Sequence, residues 1–256
     1  MKLRLDKALV ARKLAESRTR AQELVRAGQV EVEGIPATRP SEMVGPDDAI
    51  ELHGETLAFV SRGGLKLAAA LDHWNIDLSG RNCLDIGIST GGFADCMLQC
   101  GAASVLGIDS GHGQLAARLQ AEPRLRLLER TNARHLTSAM LPAGISFFAM
   151  DVSFIAASLV LPAVIGAAFL PSRLSSGREA PNVLLQEAVV LVKPQFEAGK
   201  EFVGKHGIVR SEAAHLRAIE RVRQTVDAHG ARTTEVMGSP ILGGEGNREF
   251  LLYARF

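Results

Sequence analysis

Between residues 3 and 27 the apolar positions Leu5, Ala8 and Leu9 recur at helical spacing, and Ser17 stands where it can cap a second helix starting near Thr19. Gly28 ends that helix. QVEVEGIPA then alternates apolar and polar residues about a turn at Gly34, and DDAIEL offers a further short strand, so the chain up to about residue 53 reads as a compact αα-β unit. The stretch from Gly54 to Val60 is the expected connection to the rest.

From Arg81 onward the period switches repeatedly between two and 3.6. The order is strand (NCLDIG), glycine turn, helix (GGFADCMLQC), strand (SVLGID), helix (QLAARLQ), strand (LRLLER), strand (ISFFAMD) and helix (AASLVLPAVIGAA). Ser172 to Asn182 is a polar loop without periodicity; after it come a strand (AVVLVK), a long helix from about Ser211 to His229, and two last strands, RTTEVM and EFLLYARF. This alternation predicts an α/β fold of Rossmann-like type, a mainly parallel central sheet covered on both faces, preceded by a small α+β domain. The expected division is 1–59 and 60–256.

The run Val152 to Leu170 carries no charge and is long enough to span a membrane. Asp151 and Pro162 divide it into a short strand and a helix and no basic cluster flanks it, so no membrane partner is expected. The net charge of +1 exerts no global pull on nucleic acid, but through Arg26 eight basic residues face three acidic ones. The positive charge is therefore concentrated at the N-terminus. Cys83, Cys96 and Cys100 form no CxxC, which argues against a disulfide framework or a zinc knuckle and for buried small apolar residues in a reducing cytoplasm. No histidine spacing suggests a metal site, and none is assigned.

LDIGISTGGF, residues 84–93, carries the first chemical signal. A strand ending in Asp85, a turn at Gly87 and Gly91-Gly92 opening a helix bring backbone close to a ligand, where a Cβ would obstruct it. An acidic residue at the strand end repels a pyrophosphate and suits an ammonium or sulfonium group. The next strand ends at Asp109, where a carboxylate can accept hydrogen bonds from ribose hydroxyls. A nucleoside joined to a cation is S-adenosylmethionine.

These residues belong to a longer series: SRGGLKL at 61–67, GIDSGHGQL at 107–115, ERTNARHL at 129–136, MDVSFI at 150–155, LVKPQFE at 191–197, KHGIVR at 205–210 and GEGNREFLL at 244–252. In this order they resemble the TlyA-type ribosomal RNA methyltransferases, whose catalytic domain is related to the FtsJ ribose methyltransferases. The N-terminal RLDKALVARKLAESRTRAQELVRAGQVEVEG is similar to the alpha-L RNA-binding motif of a small-subunit ribosomal protein and of pseudouridine synthases. The resemblance implies a catalytic tetrad at Lys66, Asp151, Lys193 and Glu249, in which Lys193 activates or orients a ribose 2'-hydroxyl and Asp151 positions Lys193. Lys66, next to the basic SRGG, is also a candidate for phosphate contact. The cofactor-binding set is Gly63, Asp85, Gly87, Ser89, Thr90, Gly91, Gly92, Phe93, Asp109 and Asn132. Arg4, Lys7, Arg18, Arg20, Arg26 and Arg62 are the RNA-binding candidates, against the plainer reading that several only solvate helix surfaces.

What the resemblance implies overall is a cytoplasmic enzyme, monomer or homodimer, that moves a methyl group from S-adenosylmethionine to cytidine ribose in ribosomal RNA without a metal. Two other readings stand beside it. One is a noncatalytic RNA-binding protein that keeps the fold, against which the cofactor turn and all four tetrad positions speak. The other is a membrane-lytic protein, after the haemolysin label some of these proteins have carried. His135 departs from the family, which often has an acid there, and the loop 172–182 is longer than the usual connection.

Overall fold

The computed structural model describes residues 2–15, 17–26, 28–52, 58–169, 185–243 and 246–256. The expected polar loop Ser172–Asn182 and most of the expected connection after Gly54 lie outside the described residues.

At the N-terminus two helices, α1 (Leu5–Ala11) and α2 (Arg18–Arg26), pack with two small sheets. β1 (Leu3–Arg4) pairs with β4 (Met43–Val44), two strands the sequence pattern was too short to reveal. β2 (Val30–Val32) lies between β3 (Ile35–Pro36) and β5 (Ile50–Leu52), the expected hairpin and third strand. Ser17 Oγ accepts from the Arg20 amide at 3.2 Å, the expected cap of α2. Leu5, Leu9, Ala21, Val25, Val30 and Val44 form a core of this unit's own.

The larger part is built on a seven-stranded sheet in the order β11-β12-β10-β9-β6-β7-β8. These are β6 (Asn82–Ile86), β7 (Ser104–Ile108), β8 (Leu125–Leu128), β9 (Ile145–Met150), β10 (Glu187–Val192), β11 (Thr233–Gly238) and β12 (Phe250–Arg255). β12 alone runs antiparallel to the other strands of the sheet. Strand residues alternate faces. Cys83, Val105, Phe147, Ala149, Val189, Leu191 and Leu251 pack beneath α3 (Gly63–His73) and α4 (Gly92–Gln99). Leu84, Ile86, Phe148, Met150, Val190, Val192 and Leu252 meet α6 (Leu161–Phe169) and α8 (Glu212–Ala228) on the other side, with the short α7 (Pro194–Glu197) directly after β10. α8 presents Ala214, Ala218, Val222 and Val226 at four-residue intervals, and Ser211 and His229 flank it as the sequence indicated. Strand order reverses between β6 and β9, so the carboxyl ends of those two strands splay and leave the crevice where ligands bind in such sheets.

Three local differences from the sequence pattern have physical causes. α5 spans only Ala117–Gln120, because the amides of Gly111, Gly113 and Ala116 are taken by Asp109, Glu129 and the Thr90 carbonyl. The apolar run 152–169 contains no strand: β9 ends at Met150, and after a short 3₁₀ turn α6 starts at Leu161 with Pro162 in its first turn, where the missing amide costs no helical bond. Cys100 caps the end of α4 and is exposed, unlike the buried Cys83 and Cys96.

The glycine turn also lets protein segments approach one another closely. Gly87 has φ +84°, and a Cβ there would lie 2.5 Å from the Asp151 carbonyl oxygen. A Cβ on Gly91 would meet Leu115 and Leu119, and one on Gly92 would meet Ser61 and the backbone of Gly63 and Gly64. The glycines let protein segments close on one another and thereby shape the crevice. Gly87→Ala should therefore lower the melting temperature by about 4 °C or more, since left-handed backbone costs a non-glycine roughly 1–2 kcal/mol before the clash is added. Thermal unfolding checks this; an unchanged midpoint would contradict the close approach of Gly87 to Asp151.

Candidate active site

Strand alternation assembles the charged residues. The β9–β10 ladder ends at Met150 and Val190, and the β10–β12 ladder at Val192 and Phe250. The next residues of the right parity, Asp151, Lys193 and Glu249, continue the series 147/149, 189/191 and 253/251, which faces α3 and α4. Asp85 follows Cys83 on the same face, and α3 supplies Lys66 from above. Five charged side chains thus converge on one edge of an apolar sheet.

They are held in pairs. Lys66 Nζ donates to Glu249 Oε2 at 2.6 Å, with both side chains nearly buried. Lys193 Nζ lies 2.6 Å from Asp151 Oδ1 and donates to Ser153 Oγ at 2.7 Å. The nearly buried Lys66–Glu249 pair would cost about 3–5 kcal/mol to break by removing one partner, so each of the two residues holds the other in position. The pairing of Lys66 with Glu249 inside the protein disfavours its alternative role as a phosphate contact.

Asp85 is different. It is fully buried; Oδ2 accepts from the Ala94 amide at 2.8 Å, while Oδ1 is buried without a hydrogen-bond partner. Burial drives its carboxyl well above the usual carboxylate range, and the neighbouring Asp151 and Asp109 push it in the same direction, against the Ala94 hydrogen bond. An orphaned acceptor in this setting calls for a cationic donor.

Two adjoining cavities meet at Gly87, Ser89, Asp151 and Ser153. One, of about 330 Å³, is lined by Asp109, Gly111, Thr131, Asn132 and Phe154 among others. The other, of about 220 Å³, is lined by Arg62, Gly63, Lys66, Asp85, Thr90, Gly92, Phe93 and Lys193. Asp109 accepts from the Ser89 amide at 2.8 Å and the Gly111 amide at 2.7 Å, which uses one acceptor position of each oxygen and leaves the others available. Asn132 caps the 3₁₀ turn at Ala133–His135 by accepting from the Arg134 amide at 3.0 Å. The arrangement suits S-adenosylmethionine: a nucleoside at Asp109 and Asn132, an ammonium at Asp85. Gly91, packed against Leu115 and Leu119, is outside both linings.

Two site residues lay inside quoted motifs without being singled out. Ser153 receives the Lys193 ammonium. Phe154 is 94% exposed at φ +66° on the rim of the first cavity, a bare aromatic ring held in a conformation that non-glycine residues rarely adopt. Arg62 lines the second cavity, and its Nε is buried without a partner.

The N-terminal candidates are more entangled than their charge suggested. Arg4 donates to the buried Asp6 at 2.9 and 3.1 Å, and Arg18 and Gln22 donate to the same carboxylate at 3.0 and 2.9 Å. These bonds, Arg4's foremost, hold Asp6 well below the usual carboxylate range. Lys7 and Arg26 are exposed, and Arg20 is half-buried on α2.

Comparison with known proteins adds an independent line. Residues 59–256 match the family model described as FtsJ-like methyltransferase, and residues 3–50 match the S4 domain. The chain is 41% identical over 253 residues to the 16S/23S rRNA (cytidine-2'-O)-methyltransferase TlyA of Mycobacterium tuberculosis, covering 98% of this chain and 89% of that protein. It is 34% identical to Hemolysin A of Brachyspira hyodysenteriae, covering 98% and 99%. A solved structure of a candidate hemolysin from Streptococcus thermophilus superposes with TM-score 0.72 at 37% identity, covering 99% of this chain and 88% of that one.

Because an ammonium bound at Asp85 favours the carboxylate, S-adenosylmethionine affinity should be full above the free-state pKa of Asp85 and fall as pH drops through it, with proton release on binding. Calorimetry from about pH 5 to 8 in two buffers of different ionisation enthalpy reads both effects, and Asp85→Asn should abolish the proton release and weaken binding at least about tenfold. Proton-independent binding of the same strength in both proteins would remove Asp85 from the site.

Proposed function

The chain belongs to the FtsJ-like methyltransferase family and carries an S4 domain ahead of it, and from that premise we propose that it transfers a methyl group from S-adenosylmethionine to the 2'-hydroxyl of a cytidine ribose in ribosomal RNA. The observation that carries the reading is the convergence of the Lys193–Asp151 and Lys66–Glu249 pairs on one sheet edge beside the Asp85 cavity. The full-length relative from M. tuberculosis is named for this reaction. Separate cores on either side of residues 53–57 support a division into an RNA-binding unit, 1–59, and a catalytic unit, 60–256.

When bound, S-adenosylmethionine supplies a methyl group on a sulfonium, an electrophile that needs no further activation. The protein's task is to present a weak nucleophile in line with it. In this reading Asp109 and Asn132 hold the nucleoside and Asp85 the ammonium, while Gly63, Thr90, Gly92 and Phe93 wall the second cavity. Lys193 Nζ donates to the ribose oxygen and stabilises the negative charge that builds there as the oxygen bonds to the methyl carbon, the hydroxyl proton passing to solvent at the open cavity. Asp151 and Ser153 fix the Lys193 ammonium, and Lys66 with Glu249 extends the alternation of charge along the edge. Phe154 offers an exposed ring on which the target base can stack once it leaves its neighbours, the usual way a single-stranded base is held. Arg62 lines the second cavity, where its guanidinium is placed for a phosphate contact.

The haemolysin label has little to rest on here: among the described residues no helix is long and apolar enough to cross a membrane.

Lys193→Ala should slow single-turnover methyl transfer about 100-fold or more at saturating RNA and S-adenosylmethionine, with cofactor affinity little changed. Lys193→Arg should not restore the rate, because a planar guanidinium fork does not place its donors where the compact ammonium sits. A folded Lys193→Ala protein that transfers methyl at the native rate would move the catalytic role elsewhere. For Phe154→Ala the expected outcome is a KM for RNA raised about tenfold or more, in line with the roughly 1–3 kcal/mol of one stacked base, at unchanged cofactor affinity; an unaltered KM would leave the ring without this role.

A further inference from the structure

Outside the active site, a cavity of about 380 Å³ opens on the surface between Phe202, Gly204, Lys205, His206, Arg210 and Ser211. Its three cationic or titratable side chains, Lys205, His206 and Arg210, are exposed and have no hydrogen bond or ion pair among the described residues. The acidic residues nearest in sequence, Glu201 and Glu212, are likewise exposed. Phe202 forms the apolar floor, with the Arg217 guanidinium 5.5 Å above its ring.

The backbone here is fixed, not loose. The Gly204 amide donates to the Ile208 carbonyl at 3.0 Å, the Gly207 amide donates to the Gly204 carbonyl at 3.1 Å, and His206 is held at φ +63°. The buried Asn247 clasps the loop from the other side: its Oδ1 accepts from the Val209 amide and its Nδ2 donates to the Gly207 carbonyl, both at 2.9 Å. Asn247 stands two residues before Glu249, and its carbonyl accepts from the Gly243 amide at 2.9 Å. Ile241 and Leu242, on the same segment, line the cavity that holds Lys66 and Lys193. One buried asparagine therefore locks an unpaired cationic loop to the segment that carries the catalytic glutamate.

Unpaired cations on a rigid loop, with no internal partner to neutralise, match a partner with closely spaced negative charge, and left-handed strain at His206 marks a loop whose shape is used. We propose that Lys205, His206 and Arg210 form a cradle on the catalytic domain for backbone phosphates of the RNA strand next to the target nucleotide. This rests on the RNA methyltransferase reading and deepens it, adding a contact surface distinct from the N-terminal arginines. The cradle acts on RNA binding alone: its residues lie outside both cofactor cavities. Asn247 is the positioning residue that aligns it with the active site.

The test is binding and methylation of ribosomal RNA fragments by the full-length protein and by Lys205→Gln/Arg210→Gln, across a range of salt. Each lost contact to single-stranded RNA should reduce the slope of log K against log salt by roughly 0.7, so the double variant should lose about 1.4 units. KM for RNA should rise about tenfold or more while kcat, S-adenosylmethionine affinity and melting temperature stay as they were. The charge-preserving swap Lys205→Arg/Arg210→Lys should keep the slope. If the native protein binds and methylates RNA and the glutamine variant matches it in slope and KM, the cradle is wrong and the proposed function stands. If the native protein binds RNA, the variant loses slope, and neither methylates, the cradle stands and the proposed reaction falls. Absence of RNA binding by the native protein overturns both.

Discussion

Charge cannot sit unpaired at the edge of an apolar sheet, and most of what distinguishes this molecule follows from how that constraint is met. β9, β10 and β12 are buried on both faces, yet the residues at their ends are Asp151, Lys193 and Glu249. Each finds an opposite charge at 2.6 Å, Lys193 with Asp151 and Glu249 with Lys66 from α3. The pairs hold four side chains in fixed positions at low solvent exposure, where electrostatic interaction with a reacting group is strongest and little reorganisation is needed. Asp85 is the exception, a buried carboxyl group with an unpartnered oxygen.

The same economy of charge operates in the N-terminal unit with a different result. Asp6 is wholly buried and gathers Arg4, Arg18 and Gln22 about one carboxylate. The network restrains two of the arginines expected to contact RNA while leaving their guanidinium groups partly exposed. Arg12 serves structure more directly, donating to the carbonyls of Gly45, Pro46 and Asp48 at 2.5 to 2.8 Å. Part of the unit's excess positive charge is thus committed internally.

Strand alternation made the sheet legible from sequence, because residues such as Cys83/Leu84 and Phe147/Phe148 must face opposite layers whatever the context. The long helix was legible for a similar reason: its apolar positions recur every four residues and Ser211 caps it. Two-residue strands such as β1 and β4 carry no periodicity, so only tertiary pairing reveals them. The shortening of α5 and the role of Gly87 depend in part on contacts with Glu129 and Asp151, 16 and 64 positions away, which no local pattern encodes. The tetrad positions came from motif resemblance; the structure shows how Lys66 reaches Glu249 across 183 residues. Phe154 and Ser153 stood in the quoted MDVSFI without a property that marks them in one dimension, since exposure and backbone strain appear only in the fold.

The central claim is that this sheet edge methylates a ribose hydroxyl of ribosomal RNA. It is tested most directly by mapping methylated nucleotides by mass spectrometry in ribosomal RNA or subunits incubated with the protein and S-adenosylmethionine. The account predicts a new methyl group on the 2'-oxygen of a cytidine, absent when the protein is omitted. Methylation on a base, or no new methylated nucleotide with active ribosomal substrate and bound cofactor, would contradict it.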